Sequence, residues 1–422
     1  MKHFRRTCRS RAERFGLFVC AVLVCAVVVR IASAEPDEEL LGKSRGYPMG
    51  DAATMYAEPF KVGSFSATDK ILVTRKVARG SVVTPLKKSN GVEITYHFQG
   101  RDYSLDDYLE HQRATALLIL KGDQIVAERY RYGRGEQDRF LSFSMSKSVT
   151  SLLIGIALEK GILASLDDPA EKYVPELKGS GYGQATIRQL LRMSSGVKFV
   201  EKYDGKDDAA KLHRAQLGVI PEKPLSVLAS FRERSTPAGT AFAYASSEST
   251  VLGYVLARAA GRNLETLTSQ WLWQPLGAET DAAWNVNVDG QAQAEGRFNA
   301  TLRDYGRLGL LLANDGRSGS EQIVPRAYLL EATDAAQHPD TFRPRVATSY
   351  FGYGYQFWLF PLRVRTFGLL GIYGQSIFIQ PESKLVLVHL AVTQSPTDLP
   401  AAIEKDALWR GVLTTLGGNV EP

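Results

Sequence analysis

The sequence predicts a mixed α/β (α+β) fold: an antiparallel sheet flanked by helices, with a mostly helical lobe inserted between its strands. Three observations carry this prediction. Apolar residues run strand, turn, strand at 114–133. Segments with helical spacing, each stopped by a glycine, fill the stretch from 145 to 316. Strand-like runs return at 354–392, and an amphipathic segment follows at 399–418. The simplest architecture pairs the early hairpin with the late strands in one sheet. The helical insert, about 145–325, then forms a separate lobe, with a cleft between the two. No internal repeat or low-complexity tract interrupts the order.

The elements follow in chain order. Residues 1–15 are rich in Lys and Arg, 16–29 are apolar, and Ala32-Ser33-Ala34 is a small-x-small signal. This pattern predicts a secretory leader over 1–34, cut after Ala34. The alternative is an uncleaved anchor, for which 14 apolar residues are short. Residues 35–70 are polar and lack periodicity, and read as an extended arm. Ser104 and Asp107 form a capping pattern that starts a short helix over 104–112. In "ATALLILKGDQIVAERYRYG", Gly122-Asp123 supplies the turn of a hairpin. Helices are then predicted from the Ser144 region to Gly161, over 186–196, 247–261 and 263–277, and over 301–316. "GYQFWLF", "SIFIQ" and "KLVLVHLAV" read as strands, and the last segment as a helix packing on the sheet.

The 422 residues are 44% hydrophobic and 23% charged, an ordinary globular balance with length for a large core. The leader holds seven of the 51 Lys and Arg and one of the 45 Asp and Glu, so the remainder carries 44 of each. The basic character therefore belongs to the leader, and no nucleic-acid footprint remains. Cys8, Cys20 and Cys25 also lie in the leader. The mature chain thus has no disulfide, no thiolate nucleophile and no Cys-based metal site. No metal and no cofactor is expected. A membrane is expected as a partner only through an uncleaved leader.

The chemistry centres on "FSMSKSVTSLL" (143–153). Ser-x-x-Lys is a weak pattern, and about two are expected by chance in a chain of this size. Two occur: Ser144 with Lys147, and Ser195 with Lys198. The second contains Gly196 and is followed by a charged stretch, so no helix starts well there. The first sits at a strand-to-helix junction, where i and i+3 side chains meet. Helix N-terminal potential and burial there favour a neutral amine able to take a serine proton. The Ser144 N–H offers half of an oxyanion hole. The alternative is a serine N-cap beside a solvated lysine. Two further segments bear on the choice. "PAGTAFAYASSEST" places Tyr244 and Ser246 just ahead of a helix, and "FGLLGIYGQSIFIQPESK" is a Gly-rich strand entry.

Together these three segments resemble the serine β-lactamase and penicillin-binding-protein family. More narrowly they resemble its class C-like hydrolases, which include esterases, D-amino-acid peptidases and 6-aminohexanoate-oligomer hydrolases. Ser144 and Lys147 match the Ser-x-x-Lys box. Tyr244 and Ser246 match Tyr-x-Ser. Leu369-Leu370-Gly371, followed by Ile372, stands in place of the Lys-Thr-Gly box. "LLRMSSG", "PAGTAFAY" and "NATLRDYGRLG" fit as well, so the likeness spans roughly 110–395. It implies a β-lactamase/transpeptidase-like fold, with a hydrolase domain over 113–395, an N-terminal portion over 35–112 and a C-terminal helix within 396–422.

The resemblance also implies roles. Ser144 attacks a carbonyl and becomes acylated. Lys147 takes its proton, and Tyr244 shares the relay and protonates the leaving group. Ser246 positions Lys147 by hydrogen bonding. The N–H groups of Ser144 and Ile372 bind the oxyanion, and Tyr203, Gly371 and Tyr373 line the substrate pocket. No histidine lies in a box, which argues against a Ser-His-Asp triad. The third-box lysine is absent, with Leu369 in its place. That cation helps hold a substrate carboxylate. An exported enzyme acting on a small ester or linear amide is therefore favoured over a β-lactamase or DD-peptidase. A non-catalytic binding protein on the same fold is the reading from another class. Intact Ser144, Lys147 and Tyr244 argue against it.

Overall fold

A computed structural model describes residues 38–422, and the predicted leader, 1–34, lies outside them. The hairpin is strand β1 (Ala114–Lys121) and strand β2 (Gln124–Tyr130), turned at Gly122, whose φ is +57°. The late strands are β3 (Phe367–Leu370), β4 (Ser376–Gln380) and β5 (Leu385–Ala391). They join one eight-stranded sheet in which β5 pairs antiparallel with β1, placing Leu387 opposite Ile119. The expected pairing of early and late strands is therefore present. Short strands at 352–353 and 358–359 extend the β3 edge, and Lys87–Lys88 adds a parallel pair beyond β2.

Alternation along the strands explains why they read as unbroken apolar runs. Leu118, Leu120, Val386 and Val388 face the larger core, which they share with the helical insert. Leu117, Ile119, Leu385 and Leu387 face the other side, under Leu408, Trp409, Val412 and Leu413 of the C-terminal helix, Leu399–Thr415. Both faces are covered, so the period-2 signal of a half-exposed sheet is lost. The helix Leu302–Ala313 lies close on the sheet: a Cβ at Gly309 would come 2.4 Å from Val386.

Three expectations need correction, and a fourth feature was not expected. The described part of the predicted arm, 38–70, is not extended. It holds short helices at Lys61–Phe65 and Thr68–Ile71, and Leu41, Val62 and Phe65 pack with Tyr132, Leu141, Phe143 and Tyr373. The helix predicted to reach Gly196 ends at Leu191. Met193 turns at φ +53°, and the chain beyond binds the 235–243 segment, with Ala243 N–H donating to Met193 O at 2.8 Å. The strand predicted over 354–360 is broken by Gln356 at φ +64°. Its amide donates to Leu190 and Leu191 and accepts from Ser249, tying helices together at the cost of sheet pairing.

The fourth difference is a small antiparallel sheet with the order 74–77, 282–285, 298–300, 140–141. Its short strands carry no extended periodicity, so the sequence does not announce it. It matters because Phe140–Leu141 leads directly into Ser144. Among the described residues no helix is long and apolar enough to cross a membrane.

Candidate active site

The site begins at the junction between Phe140–Leu141 and the helix Met145–Glu159. Ser142 N–H donates to Phe298 O at 2.8 Å, and Phe298 N–H donates to Ser142 Oγ at 3.2 Å. Phe143 then takes φ +44°, a left-handed turn that is uncommon for an aromatic residue. Its ring is held edge-on to Phe65 with centroids 4.9 Å apart, and lies 5.4 Å from Tyr373. This turn delivers Ser144 to the helix N-terminus.

Ser144 does not act as a cap: its hydroxyl accepts no backbone N–H of the helix. Instead Lys147 Nζ donates to Ser144 Oγ at 2.9 Å. Lys147 is 2% exposed, and its Nζ also donates to Glu295 O at 2.5 Å. Nζ lies over the Tyr244 ring, 5.2 Å from its centroid. The lysine is therefore buried and fixed from three sides, unlike the solvated lysine of the alternative. The neighbouring serines are all buried rather than at the surface. Ser146 Oγ donates to Ala294 O and Ser148 Oγ to Gln356 O, both on segments that border the site. The other Ser-x-x-Lys is not a pair: Ser195 Oγ donates to Glu248 at 2.6 Å, while Lys198 faces Glu233 at the surface.

Tyr244 stacks on Trp358 at 5.7 Å, and the 193–196 segment holds the loop that carries it. Ser246 is placed differently from expectation. Its N–H and hydroxyl both donate to Glu201, at 2.6 and 2.7 Å, so it does not bond Lys147. Among the described residues the acceptors of the lysine are Glu295 O and Ser144 Oγ, and the Ser246 hydroxyl is held by the Glu201 carboxylate instead. Glu201 also accepts from Tyr203 OH at 2.9 Å. Loss of solvation pushes the Tyr203 phenol well above its usual range, and the charges of Tyr244 and Glu201 add to this. It remains a neutral donor.

A cleft of about 370 Å³ opens over these groups. Ser144, Ser246, Glu201, Tyr203, Ile372 and Tyr373 line it. Gly371 does not; it borders a neighbouring cavity of about 250 Å³. Its part is steric. A Cβ there would sit 2.5 Å from Ser142 O, so only glycine lets β3 pass this close to the Ser144 turn. Burial raises the Tyr373 phenol to about 12. Among the described residues, the N–H groups of Ser144 and Ile372 have no acceptor within the chain. Leu369 is fully buried in the main core and presents nothing to the cleft.

Sequence reasoning missed Glu201, Glu295, Arg297 and Tyr56. Glu295 turns its carboxylate to Gln216 and Thr250 while its carbonyl holds Lys147. Arg297 and His213 line the cleft side by side, and burial together with the Arg297 charge lowers the His213 imidazole to about 3. The acidic "EKYD" run was the one available signal for Glu201. Nothing local marks the others.

A family model described as Beta-lactamase matches residues 105–408. A 6-aminohexanoate-dimer hydrolase from Paenarthrobacter ureafaciens is 26% identical over 365 residues, covering 84% of this chain and 91% of that one. A solved structure from Bacillus anthracis that carries the name of a 6-aminohexanoate-dimer hydrolase superposes with a TM-score of 0.77 at 21% identity. It covers 91% of this chain and 100% of its own. EstCE1, a hydrolase with promiscuous acyltransferase activity, superposes at 0.60 with 16% identity, over 74% and 96% of the two chains. At such identities the two structures speak for the fold alone.

Proposed function

The chain belongs to the Beta-lactamase family, and on that premise we propose that it is an exported serine hydrolase that cleaves esters or linear amides through an acyl-enzyme on Ser144. Its fold is the β-lactamase/transpeptidase-like one, and it is related to a 6-aminohexanoate-dimer hydrolase. One observation carries the proposal: the Ser144 hydroxyl is bonded to a buried lysine instead of capping its helix.

The steps are those the family resemblance implies, and the contact between Lys147 and Ser144 supports the first of them. Ser144 Oγ attacks the carbonyl carbon while its proton passes to Lys147 in the amine form. The developing oxyanion is met by the N–H groups of Ser144 and Ile372. Tyr244, beside Lys147, returns the proton to the departing alcohol or amine. Water then attacks the acyl carbon, the proton travels back through the same groups, and Ser144 is released with the acid. Ser246 enters this scheme through Glu201 and Tyr203, which border the pocket. Gly371 enters it by letting β3 approach.

Leu369 argues against efficient β-lactam or D-alanyl peptide turnover, because β3 offers no cation to a substrate carboxylate. The similarity to a 6-aminohexanoate-dimer hydrolase supports linear amides as substrates. The expected leader supports export, which N-terminal sequencing of the secreted or periplasmic protein tests. The nucleophile is tested with a fluorophosphonate probe. The parent protein should be labelled and Ser144→Ala should not; equal labelling of both sinks the assignment. A panel of p-nitrophenyl esters, linear amides and nitrocefin then ranks the bonds. Nitrocefin turned over far faster than the esters would overturn the preference.

A further inference from the structure

Arg297 is an unusual group for the wall of a cleft. It is 5% exposed, yet among the described residues no carboxylate lies within ion-pair distance of it. Buried guanidinium groups are ordinarily paired, because removing the charge from water is costly. Its Nη2 donates to Tyr56 OH at 2.8 Å and approaches His213 Nε2 at 3.4 Å. Both partners are neutral acceptors. Its Nη1 is buried and has no hydrogen-bond partner among the described residues.

Three carboxylates share the same wall, and each is already engaged. Glu201 accepts from Ser246 and Tyr203. Asp207 accepts from three backbone N–H groups, those of Lys202, Tyr203 and Ala210. Glu295 accepts from Gln216 and Thr250. Their donors are neutral, so each keeps its charge, but among the described residues none lies within ion-pair distance of Arg297. Tyr56 completes the arrangement. It lines the cleft with Ser144, accepts from Arg297, and its own O–H has no acceptor among the described residues. A phenol donor thus stands in the cleft with a guanidinium charge directly behind its oxygen.

We infer that Tyr56 and Arg297 together form a carboxylate-binding subsite, so that the preferred ester or amide carries a free carboxylate. The Tyr56 O–H donates to the carboxylate, and Arg297 supplies the opposite charge from behind it. This rests on the hydrolase proposal and names its substrate class. It also places the cation that β3 lacks on a different element, the loop whose Glu295 carbonyl holds Lys147.

The test uses matched substrate pairs. Mono-p-nitrophenyl adipate against p-nitrophenyl hexanoate puts the charge on the acyl side. 4-Acetoxybenzoate against its methyl ester puts it on the leaving group. In at least one pair, Tyr56→Phe and Arg297→Gln should each raise KM for the charged member at least ten-fold more than for the neutral one. Equal effects on both members of both pairs overturn the inference. Arg297→Gln removes a buried group and can fail to fold, so Tyr56→Phe stands as the second variant.

A binding measurement separates this inference from the nucleophile assignment. Adipate should raise the Tm of Ser144→Ala protein more than adipamide does at matched ionic strength, and Tyr56→Phe in that background should abolish the difference. No difference between the two ligands overturns the subsite even where Ser144 proves catalytic. A difference retained in protein whose parent is never labelled by fluorophosphonate upholds the subsite and removes the nucleophile.

Discussion

Lys147 and Ser246 divide what the family pattern would assign to one cluster. The lysine bonds Ser144 and a main-chain carbonyl, while the serine bonds Glu201. Their substitutions should therefore differ in size. Lys147→Met removes the proton acceptor and should lower kcat/KM on a p-nitrophenyl ester by about 10²–10⁴. Ser246→Ala leaves Glu201 with the Ser246 N–H and the Tyr203 hydroxyl, and should lower it less than about ten-fold. Comparable losses in the two variants would mean that Ser246 acts on the lysine directly. Phe143 adds a cost at the same scale: its left-handed conformation is worth about 1–3 kcal/mol of strain, which the aromatic cluster around it offsets.

Between elements, the decisive contact is β3 against the turn that carries Ser144. The two meet at Gly371, where a Cβ would lie 2.5 Å from Ser142 O and 3.1 Å from the Cβ of Phe143. Gly371→Ala must push the strand away or displace the turn. It should cost about 1–3 kcal/mol of stability. It should also lower kcat more than ten-fold, because the N–H groups of Ser144 and Ile372 sit on either side of the contact. Gly91→Ala, with open space around it, is the control and should alter neither. Urea unfolding and ester kinetics on the two variants check both numbers. The small sheet acts in the same way from the other side, since Phe298 bonds Ser142 while the residues just before it hold Lys147 and project Arg297.

Across the whole molecule, stability rests on a core shared by the sheet and the helical insert. Among the buried acids of the insert, Glu248 bears on the pH dependence. Glu248 is 2% exposed, and burial raises its carboxyl from an ordinary 4.5 to about 8, against the lowering effect of the Ser195 hydrogen bonds. Below pH 4.5 both folded and unfolded chains hold this proton. Between pH 4.5 and about 8 the unfolded chain has lost it and the folded chain keeps it, so stability falls as pH rises through that window. Glu248→Gln cannot titrate, and should flatten this part of the dependence. Denaturant midpoints at pH 5 and pH 8 measure it. A parent and variant with the same slope would show that Glu248 does not hold the proton in the fold.

The sequence by itself determined the order of strands and helices and the sheet that joins early and late strands, and it offered Ser144 with Lys147 as a pair that the family likeness favoured over a simple helix cap. Each is written in local pattern: apolar runs, capping boxes, terminal glycines, and a three-residue spacing that a helix turns into a contact. Tyr244 and Ile372 were legible only through the family likeness of their segments. The tertiary structure alone decided what surrounds them. Lys147 meets Glu295 from 148 residues away, and Arg297 meets Tyr56 across 241. Ser246 turned to Glu201, a carboxylate 45 residues away in the chain, rather than to the lysine. Contacts of this kind depend on how packed elements bring distant side chains together, and no periodicity in a single chain encodes them.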